Sequence, residues 1–322
     1  MSRTDVLHGE GLPSALLALP GWNADLLQLG RGRLEASGIH MPLSGCRLSL
    51  VQVGRKAVLR AVTPRDQVSA LFVPPTAPSL RIGARRIEAD HCLAAGPGAR
   101  LEIVVPDGAA MLVLHLHPER RGVRDGHPSL PSPGHLELRR LPDACVASFA
   151  ECSRRLASLG RASPASGIAA ARRHLDALAA SAIGTLCTGA TRMPAPDDVT
   201  LRRIAVTRAC EHMESNLRKP LTLQDLCSAA GVGTRTLEYG FQEIYELGPM
   251  AYLRSMRLAR VRRDLANPRS AAESVTDAAR RWCFTHMGQF SKDYRNQFGE
   301  SPSVTLKRSR LASDWGCAAE PA

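Results

Sequence analysis

The side chains most able to do chemistry by type and spacing are His115, His117 and Glu119, which alternate along one face of a strand-like run. Imidazole and carboxylate at that spacing are metal ligands in principle. A metal site on a small barrel needs a third histidine on a later strand and a glycine-bounded motif, and neither is present. The pair is therefore expected to be packed or exposed histidine. The nine cysteines, at positions 46, 92, 145, 152, 187, 210, 227, 283 and 317, form no C-x-x-C pair and no zinc-spaced quartet with histidine. Free and mostly buried thiols are expected. No Ser/His/Asp arrangement, P-loop or dinucleotide fingerprint is visible. The sequence thus predicts no catalytic residue, no metal and no cofactor.

Charge is the next chemical signal. Lys and Arg total 42 against 30 Asp and Glu, a net charge of +12, with a pI near 9.8. Such a balance favours anionic partners, nucleic acid above all. Residues 198–310 carry +7, while the other two thirds carry only +5. The longest apolar run of note, AAMLVLHL at 109–116, is strand-sized and too short to span a bilayer. The N-terminal residues include acids and lack a long apolar segment ending in a cleavage site, so a protein without membrane contact is expected, cytoplasmic or, in a cell with a nucleus, nuclear.

The elements that must carry these groups divide the chain. At 322 residues it is long enough for about two domains. Between 20 and 117, short aliphatic runs punctuated by Gly and Pro read as strands: CRLSLVQVG (46–54), ALFVPP (70–75), RLEIVV (100–105) and MLVLHLH (111–117). Pro106-Asp107-Gly108 is the turn between the last two. Residues 118–134 read as a loop, and Ala/Leu-rich runs at 143–159 and 165–188 have helical spacing. Nine of the 13 aromatics fall between Tyr239 and Phe298. The fold class expected is α+β in two domains. A β-rich domain (1–135), an antiparallel barrel or sandwich, is followed by a helical segment (136–190) suited to a helix pair or to dimerisation, a linker (191–198), an all-α domain (199–310) and a tail (311–322).

The C-terminal third contains an internal repeat, 220–249 against 273–302. Thr222 and Asp225 match Ser274 and Asp277 at an offset of 52, each an N-cap followed three residues later by an acid. Gly231-Val232 matches Cys283-Phe284 at the same offset. After one inserted residue Leu237 matches Phe290, Phe241 matches Tyr294, and Pro249 matches Pro302. Each copy is a capped helix, a tight turn and a second helix, the outline of a helix-turn-helix. Leu223, Leu226, Leu237, Phe241, Trp282, Phe284, Phe290 and Phe298 are the expected core. Between the copies a long helix places Leu253, Met256, Leu258 and Val261 on one side. Arg254, Arg257, Arg260, Arg262 and Arg263 are distributed around it, and most of them are expected to be solvated or ion-paired.

The run LTLQDLCSAAGVGTRTLEYGFQEIYELGPMAYLRSMRLARVRRDL, followed by VTDAARRWCFTHMGQFSKDYRNQFGESPSVTLKR, resembles the DNA-binding domain of AraC/XylS-type transcriptional regulators over about 199–308. The resemblance implies two helix-turn-helix modules whose second helices, about 234–244 and 286–297, enter successive major grooves on one face of a duplex. The positions matching the family's base readers are Arg235, Glu238 and Tyr239 in the first module and His286, Met287, Gln289 and Lys292 in the second. Gln242 and Arg295 complete the expected DNA-binding set, Arg295 as a phosphate contact or a plain surface charge. Arg and Lys suit guanine O6 and N7, Gln suits adenine, and Glu can accept from cytosine N4 or pair with a neighbouring Arg. Tyr239, Gly240, Glu246 and Cys283 depart from the family's usual residues. The resemblance further implies a cupin-like N-terminal sensor or dimerisation domain, promoter DNA and RNA polymerase as partners, a small-molecule effector, and a homodimer acting as an activator. The alternative, an alkyl-transfer repair enzyme carrying the same module, requires a Cys-rich zinc site that Cys46, Cys92, Cys145 and Cys152 do not form.

Overall fold

A computed structural model describes residues 5–10, 19, 21–44, 46–116, 131–159, 172–180, 183–184, 191–192, 201–267 and 274–316. The chain divides into two compact units, one of Met1–Leu26 with Leu34–Asp197, the other of Leu27–Arg33 with Asp198–Ala322.

The first unit is built on antiparallel strands: β1 Asp5–Glu10, β2 Asn23–Gln28, β3 Glu35–Leu43, β4 Cys46–Val53, β5 Ala57–Val62, β6 Val68–Phe72, β7 Leu80–Ile82, β8 Arg85–Ile87, β9 His91–Ala95, β10 Arg100–Val105, β11 Ala109–Leu116, β12 Leu136–Arg140 and β13 Thr191–Arg192. They form an eight-stranded sheet in the order β1-β3-β4-β11-β6-β9-β12-β13 and a five-stranded sheet in the order β2-β5-β10-β7-β8. Strand spacing suggests an antiparallel barrel or sandwich and the resemblance implies a cupin-like barrel, but no closed barrel is seen among the described strands. Spacing sets the number and length of strands, whereas closure depends on tilt and stagger. The Pro106–Gly108 turn, with Gly108 at φ +68°, carries the chain from one sheet to the other rather than making a hairpin. Strand β12 extends the sheet into the stretch read as helical, and β13 lies within the stretch read as linker.

Strand alternation sends the eight-stranded sheet's side chains into two separate cores. Val51, Val53, Met111 and Val113 join Leu59, Leu101 and Ile103 in one. Leu48, Leu50, Leu112 and Leu114 face the other way, under helix α1 (Asp143–Leu159) and helical residues 172–180. Phe72 stacks on Phe149 of α1 with centroids 3.5 Å apart. Because both faces are covered, β11 reads as a continuous apolar run rather than an alternating one.

His115 is buried in β11 beside Ser49 and Ser69, with its ring nitrogens 3.4 and 3.5 Å from their hydroxyls. His40 Nδ1 lies 2.9 Å from the same Ser49 hydroxyl. His117 and Glu119 fall outside the described residues. Cys46, Cys92, Cys145, Cys152, Cys210 and Cys227 are buried, and none of them forms a disulfide. Burial pushes the Cys145 and Cys152 thiols up to about 11 and about 12 and raises Cys92 as well, so these sulfurs stay protonated and unreactive at neutral pH.

The second unit is helical: α2 Leu201–Ser215, α3 Leu223–Ala230, α4 Thr234–Tyr245, α5 Pro249–Ala266, α6 Val275–Arg281, α7 Met287–Phe298 and α8 Pro302–Gly316. Among the described residues no helix is long and apolar enough to cross a membrane.

Candidate nucleic-acid interface

The repeat in sequence is a repeat in backbone geometry. Thr222 opens α3 with a complete capping box, its hydroxyl accepting from the Asp225 N–H at 3.2 Å while its own N–H donates to Asp225 Oδ2 at 2.8 Å. The Thr222 N–H and hydroxyl, both donating to Asp225 Oδ2, hold the Asp225 carboxyl below its ordinary value. Ser274 caps α6 through its side chain, the hydroxyl accepting from the Asp277 N–H at 3.1 Å. Helix α3 then stops at Gly231, φ +69°, and the matching residue after α6 is Cys283, φ +65°. The second helices end alike, α4 at Glu246 with φ +55° and α7 at Gly299 with φ +72°. Each module therefore needs two left-handed residues, and in each matched pair only one is glycine.

Below the turns, Leu226, Leu237, Phe241 and Tyr245 are buried, and the Phe241 and Tyr245 rings pack on Tyr252 of α5, at 5.5 Å and, stacked, at 4.4 Å. In the second module Trp282, Phe290, Tyr294 and Phe298 are buried, whereas Phe284, like Leu223, is only half-buried. The Tyr294 hydroxyl is buried, donating to Thr305 Oγ1 at 2.9 Å. Gly240 has a packing reason: a Cβ there would sit 2.7 Å from Val206 Cγ2 and 3.3 Å from the Arg202 carbonyl oxygen, so α4 lies against α2 without room for a side chain.

Helix α5 joins the modules through buried Leu253, Met256, Leu258 and Val261. Its arginines tie the domain together. Arg257 donates to the Leu217 carbonyl at 3.2 Å. Arg262 is buried over the Phe298 ring, 3.6 Å from Glu300 Oε1. Asp264 accepts from Trp282 Nε1 at 2.9 Å and from Arg281 at 3.1 Å.

What remains uncovered on each second helix is a polar face. On α4, Arg235, Glu238, Tyr239 and Gln242 are exposed. The Arg235 guanidinium lies 5.5 Å from the Tyr239 ring centroid and donates to its hydroxyl at 3.4 Å, so this departure from the family pattern forms a stacked pair. On α7, Gln289, Lys292 and Arg295 are exposed and Met287 is half-buried. His286 is exposed but serves as the N-cap residue, one position before the helix begins. Asp293, which the sequence reading passed over, contacts both Gln289 and Arg254. The available signal was its i,i+4 spacing from Gln289.

A helix-turn-helix domain family profile matches residues 226–308. Over 102 residues the chain is 37% identical to "Probable thc operon regulatory protein" of Rhodococcus erythropolis, which covers 32% of this chain and 31% of that protein. Over 104 residues it is 34% identical to "XylDLEGF operon transcriptional activator 2" of Pseudomonas putida, covering 32% of this chain and 66% of that protein. The crystal structure of a probable AraC family transcriptional regulator from Rhodopseudomonas palustris CGA009 matches at 35% identity and a TM-score of 0.32, covering 33% of this chain and 97% of that one. The match spans about a third of the first relative's length.

Proposed function

We propose that this chain, whose C-terminal third is an AraC-type helix-turn-helix domain, is a transcription regulator that binds promoter DNA and reads two successive major-groove segments per protomer. One observation carries this reading: two equivalent capped modules share the helix α5, and each leaves a polar face on its second helix. Arg235, Glu238, Tyr239 and Gln242 read the first segment; His286, Met287, Gln289 and Lys292 read the second; Arg295 holds a phosphate. Phosphate contacts supply affinity and base-edge contacts supply selection. The excess of basic over acidic residues in 198–310 supports the electrostatic part. The N-terminal unit, with buried polar His40, Ser49, Ser69 and His115 inside its sheets, senses a small-molecule effector. The helical segment after it pairs protomers, and the DNA-bound dimer engages RNA polymerase as an activator.

The test compares Lys292→Ala with Arg295→Ala on a selected site and on scrambled duplex. Lys292→Ala should lose about 1–3 kcal/mol on the selected site alone. Arg295→Ala should weaken both equally. Equal losses for Lys292→Ala on both duplexes would remove its base-reading role.

A further inference from the structure

Asp293 lies one helical turn after Gln289, with its side chain only 16% exposed. Gln289 Nε2 donates to Asp293 Oδ1 at 2.8 Å. Arg254 Nη1, from α5, lies 3.3 Å from the other carboxylate oxygen and offsets its charge. A carboxylate accepts and cannot donate. The Gln289 amide must therefore turn its NH2 toward Asp293, because the flipped amide would oppose two acceptor oxygens. Its carbonyl oxygen is left pointing away from the acid, with the second amide proton beside it.

In the major groove only adenine N6 and cytosine N4 donate; guanine O6 and N7, thymine O4 and adenine N7 accept. A fixed carbonyl acceptor pairs with an exocyclic amino group. With adenine, the remaining amide proton can also reach N7. A freely rotating glutamine would present either end and discriminate less.

We propose that Asp293 is a specificity-determining positioning residue: it locks the Gln289 amide so that this side chain selects an amino-bearing base, adenine first because N6 and N7 engage both its carbonyl and its remaining N–H, and cytosine second, over guanine and thymine, which set an acceptor oxygen against the fixed carbonyl and can take only that N–H. The inference rests on α7 being a DNA-reading helix. Arg254 extends the control to α5, because it holds the carboxylate that holds the amide.

The experiment uses the full chain and duplexes selected from a pool randomised across its site, followed by the same selection with Asp293→Asn and Gln289→Ala. Asparagine has nearly the same shape, but its amide can donate or accept, so it frees Gln289 to flip. Wild type should favour adenine or cytosine at one position by about tenfold. Asp293→Asn should abolish that preference at this position only, leaving the other positions and the thermal unfolding midpoint essentially unchanged. Gln289→Ala should erase preference at the same position, and Asp293→Glu, which keeps the acceptor, should retain part of it. Preference kept in Asp293→Asn, preference for guanine or thymine in wild type, or loss spread evenly over all positions would each overturn the proposal. Failure of wild type to enrich any duplex would instead defeat the DNA-reading assignment beneath it.

Discussion

Glu246→Gly should stabilise the C-terminal domain, and Glu246→Ala should not match it. Glu246 ends α4 at φ +55° and ψ +32°, where a Cβ crowds the backbone at a cost of about 1–2 kcal/mol. Glycine removes that cost but returns roughly 0.4–1 kcal/mol through the greater freedom of its unfolded chain. The net gain is about 0.5–1 kcal/mol. Alanine provides the control, since both substitutions remove the same side-chain contacts and differ only at Cβ. Glycine should therefore exceed alanine by about 1 kcal/mol here, the reverse of their order in a helix interior. The mirror change is Gly231→Ala. Gly231 has φ +69°, and the nearest heavy atom to an added Cβ is Arg208 Nη1 at 3.9 Å, so a loss of about 1 kcal/mol would be conformational alone. Urea unfolding followed by aromatic signals reports mainly on this domain, since nine of 13 aromatics lie between Tyr239 and Phe298. Finding Glu246→Ala as stable as Glu246→Gly would refute the left-handed-cap reasoning.

Gly240→Ala should destabilise the first module by about 1–2 kcal/mol, because overpacking against Val206 outweighs the gain in helix propensity; unfolding midpoints should show most of that penalty vanishing in a Val206→Ala background. Tyr294 is pushed up to about 12 by burial, which outweighs the lowering effect of its hydrogen bond with Thr305 and the nearby Arg262 charge. Its folded pKa lies above the unfolded value near 10, so its contribution is complete below pH 10 and lost as pH rises toward 12. Titration of stability should show this alkaline loss in the natural chain and a smaller one in Tyr294→Phe. Glu300 runs the other way: burial pushes its carboxyl up, but hydrogen bonds from Thr305 and Arg308 and the charges of Arg308 and Arg262 hold it below the ordinary value. Its contribution is therefore present above the ordinary carboxylate range and lost as pH falls through its folded value, so Glu300→Gln should reduce acid sensitivity in the same titration.

The C-terminal architecture was legible because its signals are local. Thr222 with Asp225 and Ser274 with Asp277 fix helix starts within four residues, and the turn and proline positions repeat at near-constant offset. The aliphatic runs marked β4, β6, β10 and β11 for a similar reason. Short β7 and β8, at three residues each, carry too little pattern to stand out. Sheet membership was hidden as well: nothing in Pro106–Gly108 tells a hairpin from a crossing between layers, because partner choice is made by distant strands. At the candidate interface, the exposed residues of α4 and α7 followed from helical spacing, but the stack of Arg235 on Tyr239 did not. Gly240 looked like a defect until Val206 was placed 2.7 Å from its would-be Cβ. Asp293 did not stand out in the sequence, because Arg254 reaches it from another helix.

Hydroxyl-radical footprinting of one protomer's site tests the central claim most directly. Helix α5 buries Leu253, Met256, Leu258 and Val261 along one rigid span, so the two reading helices should protect two segments on a single face of the duplex. Their centres should lie about 10–10.5 bp apart. Protection of one segment alone, or of two segments on opposite faces, would contradict a domain in which both helix-turn-helix modules engage DNA together.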